Sequence, residues 1–88
     1  MDKFPNAGTL KTNTFPEQQI LVFGSNIDTA LKVSIVEAQL CRLAGVENIS
    51  VDIENWERVL RVECSVETDA GMVLAKVKNM GFRCYELL

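Results

Sequence analysis

The sequence contains no histidine, and it has only three cysteines, Cys41, Cys64 and Cys84. Without histidine, nucleophilic catalysis would have to use a less common general base. Three cysteines spaced this widely do not form a disulfide framework. We expect all three to be buried thiols that pack as small apolar side chains.

Positive charge and long apolar runs are also scarce. The chain has nine Lys and Arg residues against twelve Asp and Glu residues, for a net charge of -3, whereas nucleic-acid binding needs a basic face. It has no apolar run of about 18 residues, the length that a membrane-spanning helix requires. Its N-terminus lacks the apolar centre of a signal peptide. These absences predict a cytoplasmic protein with neither a nucleic-acid nor a membrane partner.

What the sequence does contain is typical of one small globular domain. It has 88 residues, of which 48% are hydrophobic, and this is enough for a single core but not for two. Residues 1–17 hold both prolines, several threonines and asparagines, and no sustained hydrophobic period. We predict that residues 1–17 form a flexible N-terminal tail and that residues 18–88 form the domain.

The first half of the domain predicts a strand followed by a helix. Residues 19–23 form a short apolar run, which indicates a central strand. Hydrophobic residues then recur at helical spacing between positions 28 and 44, and Asp28 or Thr29 can cap the first turn. Gly45 follows, at the place where a glycine in the left-handed conformation commonly ends a helix.

The second half begins with two strands. Residues 49–54 and 60–66 alternate between apolar and polar side chains, as half-buried strands do, and Asn55-Trp56-Glu57 between them is typical of a turn. The pattern places one set of side chains of the second strand on its inner face: Leu60, Val62, Cys64 and Val66.

A second helix and a last strand complete the pattern. Thr68 or Asp69 can cap the helix, Gly81 ends it, and residues 82–87 form the strand. The order β-α-β-β-α-β predicts a ferredoxin-like α+β sandwich, with a four-stranded antiparallel sheet in the order 4-1-3-2 and both helices on one face. The side chains that we expect between the sheet and the helices are Val33, Val36, Leu40, Val51, Leu60, Val62, Val73, Leu74, Val77 and Phe82.

Three short segments carry a resemblance to a known family. Gly45-Val46 follows the first helix, Ser50-Val51-Asp52 lies in the second strand, and Gly81-Phe82 opens the last strand. In this order and spacing they resemble the heavy-metal-associated (HMA) domain, a family that includes small copper chaperones, over roughly residues 18–88. The resemblance implies the ferredoxin-like fold. It also implies a Cys-x-x-Cys site after the first strand, where two thiolates bind a soft ion such as Cu(I).

The sequence departs from the family at that site. The loop and helix start read GSNIDTALKV from Gly24 to Val33, and the positions that match the two cysteines are Thr29 and Lys32. A hydroxyl is a poor ligand for a soft ion, and an ammonium group repels any cation. The resemblance therefore implies a degenerate HMA domain that binds no metal and no cofactor and serves as a protein-interaction or regulatory module.

A protein partner of such a module is expected to bind near the altered loop. Lys32 is expected to be either a solvated surface lysine or the partner of Asp28 one helical turn earlier. Trp56 is typical of an interface residue at a hairpin tip, or else it folds back over the open face of the sheet. The residues that we expect at the interaction surface are Ser25, Asn26, Asp28, Thr29, Lys32 and Trp56.

Other functions of this topology stay open. One is a metallochaperone-like carrier with a non-standard site, in which Asn26, Asp28 and Thr29 supply oxygen ligands to a harder metal ion. Another is a small-molecule-sensing regulatory domain. An RNA-binding sheet would need exposed aromatic residues on its central strands, where Phe23 is the only candidate.

Overall fold

The computed structural model of the chain describes residues 18–87. Its elements in chain order are strand β1 (Gln18–Ser25), helix α1 (Ala30–Leu40), strand β2 (Val46–Asp52), strand β3 (Val59–Ser65), helix α2 (Ala70–Asn79) and strand β4 (Cys84–Glu86). The predicted βαββαβ order is confirmed. The predicted N-terminal tail, residues 1–17, lies outside the described residues.

One antiparallel sheet joins these strands in the order β2-β3-β1-β4, which is the order 4-1-3-2 counted from the opposite edge. β1 is central because it pairs with β3 on one side, where Leu21 lies opposite Val62, and with β4 on the other, where Gly24 lies opposite Tyr85. α1 packs against β2, α2 against β4, and the helices against each other. The end of β1 lies beside the start of β4, and the N–H of Ser25 at the end of β1 donates to Glu57 in the hairpin turn between β2 and β3.

The core lies between the sheet and the two helices. Of the ten predicted core residues, six are buried and four are partly buried and pack against them. Phe23 is fully buried, so it offers no surface for stacking RNA bases. Val66 was expected on the inner face but is 58% exposed, because β3 ends at Ser65 and the chain turns away before Val66. Ile27 and Ile49, which the expected core omitted, are also buried.

The end of α1 differs from the sequence prediction. The helix stops at Leu40 rather than near residue 44, because the N–H groups of Arg42 and Leu43 donate to carbonyls only three residues back and tighten the chain into a turn. Cys41 lies at this end and is exposed, so the expectation of three buried thiols is wrong for Cys41. Gly45 ends the turn with a φ of +89°, as a left-handed glycine should.

Each helix begins at one of the two capping residues that the sequence offered. Thr29 caps α1 by accepting a hydrogen bond from the N–H of Lys32, and Asp69 caps α2 by accepting one from the N–H of Met72. Thr68 is instead fully buried, and its hydroxyl donates to the carbonyl of Ala44 at 2.5 Å. In residues 18–87, neither helix has the length and apolar character needed to cross a membrane.

Candidate functional site

The loop between β1 and α1 lies beside the hairpin turn that connects β2 to β3. The N–H of Ser25 donates to the carbonyl of Glu57 at 2.8 Å. The hydroxyl of Ser25 donates to the carbonyl of Arg58 at 2.7 Å and accepts from the N–H of Ile27 at 3.2 Å. Ser25 therefore fixes the start of the loop to the hairpin turn through both its backbone and its side chain.

The middle of the loop is held from the opposite side. The side-chain oxygen of Asn26 accepts a hydrogen bond of 2.8 Å from the N–H of Arg83, just before β4. The next side chain, Ile27, is fully buried in the core. The loop is thus anchored to three different parts of the fold, through Ser25, Asn26 and Ile27. The only sequence signal for this role of Ile27 was one large apolar residue in an otherwise polar segment.

The remaining polar side chains of the loop pair with one another. The ammonium of Lys32 lies 2.8 Å from a carboxylate oxygen of Asp28, in the acid-before-base i,i+4 arrangement expected from the sequence. This hydrogen bond lowers the pKa of Asp28 below its usual value. The hydroxyl of Thr29 lies 3.2 Å from the N–H of Lys32. Thr29 and Lys32, which the sequence predicted to match the family cysteines, therefore form a helix cap and one half of an ion pair.

The polar side chains of the loop already have hydrogen-bond partners. A hard ion would have to compete with the N–H of Arg83 for Asn26, with Lys32 for Asp28 and with the helix cap for Thr29. A soft ion would find no thiolate, because neither Thr29 nor Lys32 supplies sulfur. Within residues 18–87, no three His, Cys, Asp or Glu side chains are grouped closely enough to hold a metal.

The two buried native cysteines lie far apart in the sheet. Cys84 lies opposite Ser25 on β1, and burial raises the pKa of its thiol to about 11. Cys64 lies opposite Gln19, six residues away from Ser25 along β1, or roughly 20 Å at the rise of a strand. The two buried thiols are therefore too far apart to bind one ion together.

We expect iodoacetamide to modify one of the three cysteines in the folded protein. Cys41 is exposed, whereas Cys64 and Cys84 are only 1% and 6% exposed, and burial raises the pKa of both thiols. Since the thiolate is the reactive form, mass spectrometry at about pH 8 should show a single adduct on Cys41, and three adducts in urea. Rapid modification of Cys84 without denaturant would mean that the core around this thiol opens in the folded protein.

The hairpin turn presents Trp56 to solvent, and its indole is 82% exposed. The expectation that Trp56 folds back over the open face of the sheet is therefore wrong. Tyr85 lies in that region instead. Its ring covers Gly24 so closely that a Cβ added there would clash with the ring, and its hydroxyl donates to the Glu57 carboxylate at 2.9 Å. That hydrogen bond raises the pKa of Tyr85.

The same fold occurs in HMA-domain proteins of known structure. Oxidized MerP from Ralstonia metallidurans CH34 has a TM-score of 0.70 at 14% identity, over 81% of this chain and 99% of its own. The apo HMA domain of the copper chaperone for superoxide dismutase has a TM-score of 0.67 at 20% identity, over 81% of this chain and 68% of its own. The N-terminal domain of ZntA in its Zn(II) form has a TM-score of 0.65 at 19% identity, over 76% of this chain and 89% of its own.

These similarities confirm, at the level of the fold, the resemblance found in the sequence. The chain has the ferredoxin-like βαββαβ fold that HMA-domain metallochaperones share. No protein-family model matches the sequence, and no curated protein matches it significantly.

Proposed function

We propose that this protein is a non-enzymatic interaction or regulatory module that keeps the HMA scaffold and has lost its soft-metal site. The observation that carries the proposal is the pairing of Lys32 with Asp28 at 2.8 Å, beside the cap made by Thr29. A positive side chain, Lys32, occupies one of the two positions where the family would bind a cation. The negative charge of Asp28 is already balanced by the ammonium of Lys32. A cytoplasmic location and a flexible tail at residues 1–17 remain predictions from the sequence.

The anchored loop also supports an interaction role. Hydrogen bonds from Ser25 and Asn26 join the loop to the hairpin turn and to the entry of β4. A surface that is ordered before binding loses less conformational freedom when a partner binds. Two large apolar side chains are exposed on elements that adjoin this loop, Leu31 in the first turn of α1 at 72% and Trp56 at 82%. Exposed apolar side chains on an ordered surface are typical of protein interfaces.

The metal part of the proposal is tested by calorimetric titration of the full chain with Cu(I), Zn(II), Mg(II) and Ca(II). We expect no site tighter than about 10 μM, the weak end of the range in which calcium sensors bind their ion. The Cu(I) titration needs anaerobic, reducing conditions and a Cys41→Ser background, because Cys41 is an exposed thiol. A tighter site that survives in this background would contradict the loss of metal binding.

The interaction part needs a separate measurement. A photo-cross-linking amino acid is placed at Leu31, beside the loop, and as a matched control at Glu67, an exposed position in the turn after β3 at the other end of the sheet. We expect discrete cross-linked products in cells from position 31 and not from position 67. Products of equal yield from both positions would show that the loop end is not a preferred surface.

A further inference from the structure

We propose that the hairpin turn at residues 53–58 docks a positively charged segment of a partner protein, with an Arg or Lys side chain placed over the indole of Trp56. This inference rests on the proposed interaction function and specifies the chemistry of the partner. It depends on three features of the turn, namely its hydrogen-bonded backbone, its exposed indole and the carboxylates in and beside it, which form no salt bridge within residues 18–87.

The turn is held by hydrogen bonds within itself. The N–H of Arg58 donates to the carbonyl of Asn55 at 2.8 Å, and the N–H of Glu57 donates to the side-chain oxygen of Asn55 at 2.9 Å. Arg58 has a φ of +47°, a left-handed conformation that non-glycine residues rarely adopt. The backbone that presents Trp56 to solvent is therefore held in one defined conformation.

The turn is also attached to its surroundings immediately after Trp56. The carbonyls of Glu57 and Arg58 accept hydrogen bonds from Ser25, and the carboxylate of Glu57 accepts one from the hydroxyl of Tyr85. None of these contacts covers the indole. Tryptophan is enriched among the residues that dominate binding energy at protein interfaces, and an ordered turn presents this side chain without a large entropic cost on binding.

The charge of the turn indicates a positively charged partner. Asp52, Glu54 and Glu57 lie within four residues of Trp56 along the chain, and in residues 18–87 none of them forms a salt bridge, since the ion pair found there is Asp28 with Lys32. The guanidinium of Arg58 is turned to the carbonyl of Asn55, at 2.9 Å. Carboxylates that neighbour a tryptophan along an exposed turn favour a cationic partner, and the face of the indole itself attracts positive charge.

The single tryptophan of the chain makes the proposal directly measurable. The full chain is titrated at low salt with a hexa-arginine peptide and, separately, with a hexa-glutamate peptide, and both tryptophan fluorescence and backbone amide NMR shifts are followed. We expect saturable changes with hexa-arginine alone, with the largest amide shifts in residues 52–58. Binding should weaken as salt screens the carboxylates.

Two charge-matched variants separate docking at the turn from general attraction to an acidic protein. Glu54→Gln should weaken hexa-arginine binding several-fold, whereas Glu37→Gln, which removes the same charge from an exposed position on α1, should leave it unchanged. Trp56→Leu, followed by NMR, should also weaken binding, because leucine keeps an apolar side chain but has no aromatic face.

Three results would overturn the proposal: no saturation, amide shifts spread over the whole surface, or equal effects of Glu54→Gln and Glu37→Gln. A turn that bound an uncharged apolar peptide more tightly than hexa-arginine would also contradict it. Each of these outcomes leaves the cross-linking comparison at Leu31 and Glu67 intact, so the failure of this inference can be told apart from failure of the proposed interaction function.

Discussion

Replacing Thr29 and Lys32 together by cysteine is expected to give a protein that binds one Cu(I) per chain under reducing conditions. Thr29 is the cap of α1 and Lys32 is the third residue of the helix, so the two new thiols stand one turn apart at the helix N-terminus. Free backbone N–H groups and the helix dipole lower the pKa of thiols at this place. The same change removes the ammonium of Lys32, which repels a cation.

The measurement is competition with a chromophoric Cu(I) chelator in the absence of oxygen, with folding checked by circular dichroism. Thr29→Cys alone should bind Cu(I) weakly, and the parent sequence should not compete. Glu37→Cys is a matched control because it places a thiol one turn before the native Cys41 at the C-terminal end of α1. At the C-terminal end the helix dipole disfavours thiolates, so the pair of thiols that Glu37→Cys creates with Cys41 should compete less well with the chelator for Cu(I).

A folded double variant that fails to bind Cu(I) would show that the loop does not correspond to the family's metal loop. The similarity would then extend no further than the fold. Binding by the double variant and not by the control would instead show that the scaffold keeps the geometry of a metal loop and that two substitutions account for its loss. The parent, Thr29→Cys and the double variant are all compared in a Cys41→Ser background, because Cys41 is an exposed thiol that could bind Cu(I) itself. Only the Glu37→Cys control keeps Cys41.

The order of elements could be predicted because each element has its own hydrophobic period and its own terminating residue. Apolar residues recur at every second position in residues 60–66, as in a strand, and about every fourth position around Val73 and Val77, as in a helix. Gly45 and Gly81 both have positive φ, and both mark the ends of helical segments. These signals are local, so a single sequence contains them.

Contacts between distant residues could not be predicted in this way. Nothing local indicates that Asn26 accepts a hydrogen bond from Arg83, 57 positions later, or that the ring of Tyr85 lies across Gly24. Both depend on β1 and β4 being neighbours in the sheet. The sequence does not decide whether Trp56 is exposed, for the same reason. The ring of Tyr85, from the other end of the domain, occupies the space over the sheet beside the turn.

Phe23→Ala is expected to be the most destabilising single substitution considered for this protein. Phe23 is fully buried on the central strand, where it lies opposite Leu60, and truncating a buried phenylalanine costs about 3–5 kcal/mol through lost transfer free energy and the cavity left behind. Small domains have only about 5–15 kcal/mol of stability in total. Urea denaturation followed by circular dichroism should therefore show a large loss. If Phe23→Ala does not fold, Phe23→Leu should still show a loss of about 1 kcal/mol.

Trp56→Ala is the matched control, since it also truncates an aromatic side chain. Its indole is 82% exposed, so the free energy of unfolding should change by no more than about 0.5 kcal/mol. A cost close to that of Phe23→Ala would mean that the indole packs on the domain, and docking at the turn would then be wrong. A near-zero cost would show that folding does not require the largest side chain of the chain, which is the condition under which Trp56 is free to contact a partner.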